Sequence, residues 1–223
     1  MLKALFYKEW LKTRWALFIV TGVLVLALIK MILEISYGIR FMGANAYWYQ
    51  ITIMGSMYYV DLLYLPFFAG LLVGVTQFVP EISESRLKLT LHLPMHENSI
   101  LMYMVSYGTI SLILVFILTY ILFILISSGF FPAEIVYSAI VTTLPWFLAG
   151  MVSYLATATV FVEPIWPKRV LMILIFSLYI ANLLDSDHYN EYAHSLIYLF
   201  IISLMFGITI LYAGQRFRKG VLK

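Results

Sequence analysis

The basic residues of this chain fall into separate clusters that are divided by long apolar runs. The chain has 223 residues, of which 63% are hydrophobic and only 14 are Lys or Arg. Basic residues near membrane-spanning helices are retained on the cytoplasmic side. When the apolar runs are threaded through a bilayer six times, twelve basic residues fall on one side and only Lys30 and Arg40 fall on the other. This distribution predicts six spans with both chain ends in the cytoplasm.

The apolar runs themselves define the fold class. A spanning helix needs about 20 mostly apolar residues, and most of the runs reach that length. The runs are continuous rather than alternating, which argues against a transmembrane barrel. We therefore predict an all-α integral membrane protein that forms a single transmembrane domain over residues 1–223. The predicted spans lie near residues 15–33, 57–79, 100–127, 135–162, 170–184 and 195–212.

The segments outside the spans have their own patterns. Apolar residues of segment 1–14 lie on one stripe, and Lys8 and Lys12 lie on the opposite side. This pattern favours an interfacial helix whose lysines face lipid phosphates, although a plain charged lead-in to the first span fits equally well. Segment 34–56 is rich in glycine and aromatic residues, which predicts a short interfacial helix on the outer side. The alternative is a longer second span that starts well before Asp61.

The longest cytoplasmic connection is predicted to be the loop 80–99. Its alternating Leu-rich stretch is typical of a strand, but a lone strand between two spanning helices has no sheet to join. As a helix, the segment pairs Glu84 with Lys88 at a spacing of four residues. We therefore predict a helix that ends before Pro94.

Several classes of chemistry have no motif in this sequence. There is no glycine-rich phosphate-binding loop, no nucleophilic G-x-S-x-G and no cysteine, so neither nucleotide hydrolysis nor another enzymatic activity is expected of this chain. The acidic outer loop 185–194 is interpreted as solvated rather than as a metal site, although binding of zinc or a hard cation stays open. The net charge of +3 is explained by topology and anionic lipid, so we predict no nucleic-acid partner.

The second span carries an acid and a pair of small residues. Asp61 is predicted to lie near its outer end. Intramembrane acids are costly and often functional, so Asp61 is a candidate for a substrate path. The alternative is that its side chain simply reaches the membrane interface. Gly70 and Gly74 form a small-x-x-x-small pair that permits close helix packing. Whether that contact lies within one chain or between two copies is left open by the sequence.

The loop after the second span carries a resemblance to a known family. It contains Glu81-x-x-Glu84, a basic residue (Arg86), a Leu-rich turn and Leu93-Pro94, and a long span follows. This order resembles the membrane subunits of ABC-2 type transporters, which also have six spans, both ends inside and a basic amphipathic N-terminal segment. Arg86 stands where many members have glycine.

The resemblance implies a permease subunit that forms a substrate path and is coupled to ATP hydrolysis on a separate subunit. The segment 81–94 would be the coupling helix that docks on the ATP-binding subunit, and the loop 163–169 would be a second, smaller contact. The implied coupling residues are Glu81, Glu84, Arg86, Lys88, Leu89, Leu93 and Pro94. The implied residues of the second contact are Glu163, Trp166, Lys168 and Arg169.

The resemblance also implies partners and a location. Two permease chains, identical or different, would assemble with two ATPase chains, and ATP and Mg²⁺ would be bound by the ATPase subunits alone. The expected location is the bacterial cytoplasmic (inner) membrane, in contact with membrane lipid, and the expected direction is export. The alternatives are an ATP-independent secondary transporter and a non-transporting assembly or scaffold subunit. The secondary transporter is expected to show internal repeats and mid-span charges, neither of which is evident.

Overall fold

The computed structural model describes residues 2–83, 97–185 and 188–218, and within these residues it is all-helical. Six of its helices are long and apolar enough to cross a membrane. The prediction of an all-α protein with six membrane-spanning helices is therefore confirmed. The helices are α1 (Leu2–Met42), α2 (Ala44–Thr52), α3 (Leu65–Ser83), α4 (Glu97–Ser128), α5 (Ala133–Val162), α6 (Trp166–Leu184) and α7 (Leu196–Arg218).

Helix α1 is much longer than the predicted first span. Its 41 residues correspond to about 61 Å at about 1.5 Å per residue, roughly twice the thickness of the hydrocarbon core. The predicted interfacial segment 1–14 is not a separate element over the described residues, because α1 continues through it without a break. The reason is local, since no proline or glycine precedes Gly22 in the chain. Segment 34–56 contains one short helix of its own, α2.

The residues just before α3 are not a regular α-helix. Apart from Asp61, residues 57–64 are apolar or aromatic, and they form an irregular segment with one short 3₁₀ turn at Val60–Leu62 before α3 begins at Leu65. The candidate span that includes this turn begins at Val60. Tyr58 and Tyr59 of the segment are buried. At the other end, α3 continues past Pro80 to Ser83.

Helix α5 lies at the centre of the bundle. It is the most buried of the six long helices and packs against α3, α4, α6 and α7, most extensively against α3. Helix α1 lies on the outside of α3 and α4, and α6 packs against α5 and α7. The α3–α5 pair is therefore the structural core on which the other long helices are arranged.

Candidate functional site: buried charge networks at one end of the bundle

The end of α3 places a carboxylate inside the protein. Glu81 is fully buried, with 0% of its surface exposed. Its Oε1 atom lies 2.9 Å from the Lys12 ammonium and 2.8 Å from the Lys8 ammonium, both on α1. The expectation that these lysines face lipid phosphates is wrong for Lys12, whose side chain is directed inward because two buried carboxylates require a counter-ion.

The second of these carboxylates belongs to Glu9 on α1, which is 1% exposed. One of its oxygens lies 2.7 Å from the Lys12 ammonium, and the other accepts a hydrogen bond of 2.9 Å from the Gln77 amide. A single lysine therefore bridges Glu9 and Glu81. Buried charges are tolerated when they are paired and hydrogen-bonded, and both conditions are met here.

Gln77 is the centre of the network. Its amide nitrogen also donates to the backbone oxygen of Met104 on α4 at 2.8 Å, and its amide oxygen accepts a hydrogen bond of 2.8 Å from the Tyr154 hydroxyl on α5. A further link joins the hydroxyls of Thr13 and Tyr107, 3.0 Å apart. This set, which we call the α1–α3 network, connects α1, α3, α4 and α5. Its members are Lys8, Glu9, Lys12, Thr13, Gln77, Glu81, Tyr107 and Tyr154.

The network continues a line of small residues along one face of α3. Gly70, Gly74, Gln77 and Glu81 follow one another at spacings of four, three and four residues, which places them on the same face of a helix. A Cβ atom at Gly70 would collide with the backbone oxygen of Gly150 on α5. The question left open by the sequence is thereby answered, because the glycine pair packs against α5 of the same chain.

The close approach of α3 and α5 is reinforced by a hydrogen bond between the helices. The Ser153 hydroxyl on α5 donates to the backbone oxygen of Phe67 on α3 at 2.8 Å. Gly74 faces Thr157 in the same way that Gly70 faces Gly150. On α4, Gly108 leaves the space that the Tyr154 hydroxyl and the Gln77 amide occupy. Small residues therefore set the helix separation that the polar contacts need.

A second buried acid lies where α5 ends. Glu163 is fully buried, and its carboxylate forms an ion pair with Arg216 of α7. The Arg169 guanidinium of α6 donates two hydrogen bonds, of 3.2 and 2.7 Å, to the backbone oxygen of Glu163. We call Glu163, Arg169 and Arg216 the α5–α7 junction. Of the other predicted second-contact residues, Trp166 is 70% exposed and Lys168 is exposed as well.

An exposed ion cluster joins α1 to the segment before α3. Asp61 lies in the 3₁₀ turn before α3, and its carboxylate lies 2.7 Å from the Lys30 ammonium on α1. Glu34 lies 3.3 Å from the same ammonium, and the Lys30 side chain is 58% exposed. Asp61 therefore joins α1 to the segment before α3, and it lies outside the buried networks.

The loop between α6 and α7 is also attached to the bundle. The Tyr189 hydroxyl donates to the backbone oxygen of Ser56 at 2.7 Å, and the backbone N–H of Asn190 donates to the Thr142 hydroxyl on α5 at 3.0 Å. Partial burial raises the pKa of Tyr189, so its hydroxyl stays protonated and remains a donor. Within the described residues, no group of three His, Cys, Asp or Glu side chains has the arrangement of a metal site.

The remaining predicted coupling residues lie outside the described residues. They are Glu84, Arg86, Lys88, Leu89, Leu93 and Pro94. Among the predicted site residues, the structure brings Glu81 together with lysines of α1 and Glu163 together with Arg169. It places Asp61, Gly70 and Gly74 at three separate contacts.

Comparison with known proteins gives no family assignment. No protein-family model, curated protein or solved structure matches the chain. The functional interpretation therefore rests on the residues and contacts described above.

Sequence reasoning missed several members of the two networks. Glu9, Gln77, Tyr154 and Arg216 were not singled out, although Gln77 is a polar residue in the middle of a mostly apolar helix. Polar residues inside spans generally face the bundle interior, and this rule was the available signal. The pairing of Glu9 with Gln77 had no signal, because it joins positions 68 residues apart.

Proposed function

We propose that the chain is the membrane subunit of an ATP-driven transporter of the ABC-2 type, coupled to a separate ATP-binding subunit. One observation carries the proposal. The two connections expected to face the ATPase each follow a fully buried glutamate, Glu81 or Glu163, that is ion-paired to another helix. Both loops are thereby attached to the α3–α5 core at their first residues.

Such attachment suits the transmission of movement. A partner that displaces the segment after Glu81 moves α3 together with the start of α1, because Lys8 and Lys12 hold the same carboxylate. A partner that displaces the 163–169 loop moves α5 together with α7. Since α3 and α5 pack closely along their length, a displacement of either loop moves the same pair of helices.

Glu81 has a different role in this proposal from the one that the resemblance implied. It is buried and paired within the chain, so it anchors the loop, and docking falls to Glu84, Arg86 and the residues that follow. In the 163–169 loop, the exposed Trp166 and Lys168 are available for contact, while Glu163 and Arg169 hold the loop in place. ATP and Mg²⁺ would be bound by the partner, and a second permease chain would complete the path.

The topology on which this proposal depends can be measured directly. The chain contains no cysteine, so single cysteines report without background. We expect a cysteine at Ser128 to react with an impermeant thiol reagent added outside intact cells, and one at Ser85 to react only after the membrane is opened. Labelling of position 85 in intact cells would refute the orientation, because twelve basic residues would then lie outside.

Crosslinking tests the coupling itself. A photoreactive amino acid at Glu84 should capture an ATP-binding subunit in membranes, whereas the same group at Glu191 in the outer loop should not. Glu84→Lys should lower transport-linked ATP turnover while the chain still inserts and folds, because charges at docking surfaces mainly set specificity and orientation. If functional preparations never yield an ATPase adduct at position 84, the secondary-transporter and scaffold alternatives replace this proposal.

A further inference from the structure

An elongated cavity of about 550 Å³ lies between α4, α5 and α7. Its walls are almost entirely apolar, and they belong to three of the helices that are apolar enough to span a membrane. One side is formed by exposed residues, including Ile110 on α4 and Leu204 and Ile208 on α7. In a bilayer this open side faces hydrocarbon rather than water. The natural occupant is therefore a molecule of the bilayer.

The dimensions of the cavity favour a single hydrocarbon chain. On α4 its wall extends from Met102 to Phe116, and the part from Ser106 to Phe116 corresponds to about 15 Å along the helix. One leaflet contributes about half of the roughly 30 Å hydrocarbon core, so an acyl chain that starts at Ser106 matches this length.

Two hydroxyls lie in one half of the cavity, which we call its polar end. Ser106 and Thr109 line it on α4 at a spacing of three residues, between Met102 and the middle of the wall. The third hydroxyl in the lining, that of Ser203 on α7, donates to the backbone oxygen of Leu199 at 2.8 Å. Neither the Ser106 hydroxyl nor the Thr109 hydroxyl has a hydrogen-bond partner in the part of the chain that the structure describes. By contrast, Ser111 and Thr119 on the same helix each bond a backbone oxygen one turn earlier.

The two free hydroxyls indicate what the ligand must present. A hydroxyl in an apolar environment is unfavourable unless it is hydrogen-bonded. As donors, the hydroxyls are satisfied by a carbonyl oxygen, which a phospholipid carries at the start of each acyl chain. Ser106 follows Val105, whose backbone oxygen contacts Tyr154 of the α1–α3 network, so the polar end of the cavity lies level with that network.

We propose that this cavity binds one acyl chain of a membrane phospholipid. The ester carbonyl oxygen accepts hydrogen bonds from Ser106 and Thr109, and the chain runs along α4 toward Phe116. The proposal depends only on the cavity and its hydroxyls. It stands or falls independently of the coupling to an ATPase, which is tested at position 84.

The test uses a phospholipid with a photoreactive diazirine in its acyl chain, reconstituted with the full-length protein in nanodiscs. Crosslinked peptides are then mapped by mass spectrometry. We expect saturable labelling of the cavity-facing residues of α4, α5 and α7. Gly207→Phe adds a ring at the cavity wall, where a Cβ atom meets nothing within 4 Å. It should lower this labelling about tenfold, the effect of losing roughly two buried methylene contacts.

The controls separate a site from general lipid contact. Gly22→Phe places the same side chain at another open glycine, outside the cavity, and should leave the labelling unchanged. Ser106→Ala and Thr109→Val should each weaken labelling about threefold to tenfold, as expected for one lost hydrogen bond, without changing thermal stability. Labelling that is equally strong on the exposed face of α6 and insensitive to Gly207→Phe would overturn the proposal. So would efficient disulfide formation between two copies carrying Leu204→Cys.

Discussion

Gly70→Leu is expected to destabilise the folded protein by about 3 kcal/mol or more, toward the upper end of overpacking effects. The reason is geometric, because even a Cβ atom at this position meets the backbone oxygen of Gly150, which cannot rotate away. Helices α3 and α5 must separate to admit the side chain. That movement also breaks the hydrogen bond from Ser153 to Phe67. Thermal unfolding of the purified protein in detergent measures the loss.

Two companion variants make this result specific. Gly70→Ala should already destabilise, since the collision begins at the Cβ atom. Gly22→Leu should be close to neutral, because the space around Gly22 on α1 is open and leucine is the better helix former. An unchanged melting temperature for both Gly70 variants would mean that the close contact of α3 with α5 is incidental.

Lys12→Met is expected to cost about 3–5 kcal/mol, the range observed when one partner of a buried ion pair is removed. The substitution keeps much of the side-chain length but removes the ammonium that bridges the carboxylates of Glu9 and Glu81. Both carboxylates are almost fully buried, so water cannot replace the lost charge. Chemical or thermal unfolding in detergent measures the difference from the unmodified protein.

Lys30→Met is the matched control. Lys30 lies on the same helix and also bridges two carboxylates, those of Glu34 and Asp61, but it is exposed. Exposed ion pairs contribute little to stability, so this variant should differ from the unmodified protein far less than Lys12→Met does. Adding Glu9→Gln to Lys12→Met removes the excess negative charge and should recover part of the loss. Equal effects of the two lysine variants would contradict the assignment of a buried network.

The elements that could be predicted from the sequence are those set by local composition. The apolar runs located all six spanning helices, because a membrane requires long continuous stretches of apolar residues. The irregular backbone of residues 57–64 was not predicted, since these mostly apolar and aromatic residues were interpreted as the start of the second span. Hydrophobicity predicts that a residue is buried, but it does not predict whether the buried backbone is a regular helix or an irregular segment.

The candidate site was predictable only in part. Glu81 and Glu163 were selected from their position at loops, and both are central to buried networks, but their partners were not identified. Lys12 and Arg216 are separated from them by 69 and 53 residues. Their charges were assigned to lipid and topology, a reading that accounts equally well for basic residues at the ends of spans. Pairings across such distances depend on helix packing, which no local pattern records.

The two acids differ in when their counter-charges are synthesised. Lys8 and Lys12 are translated before Glu81, so its neutralising partners are already present when α3 is inserted. Glu163 is translated 53 residues before Arg216, and its carboxylate lacks that partner until α7 has been made. A nascent chain that stops after α6 therefore carries an uncompensated negative charge at the end of its central helix. The ion pair that neutralises Glu163 therefore forms only after α7 has been synthesised, whereas the pairs that neutralise Glu81 can form as soon as α3 is in place.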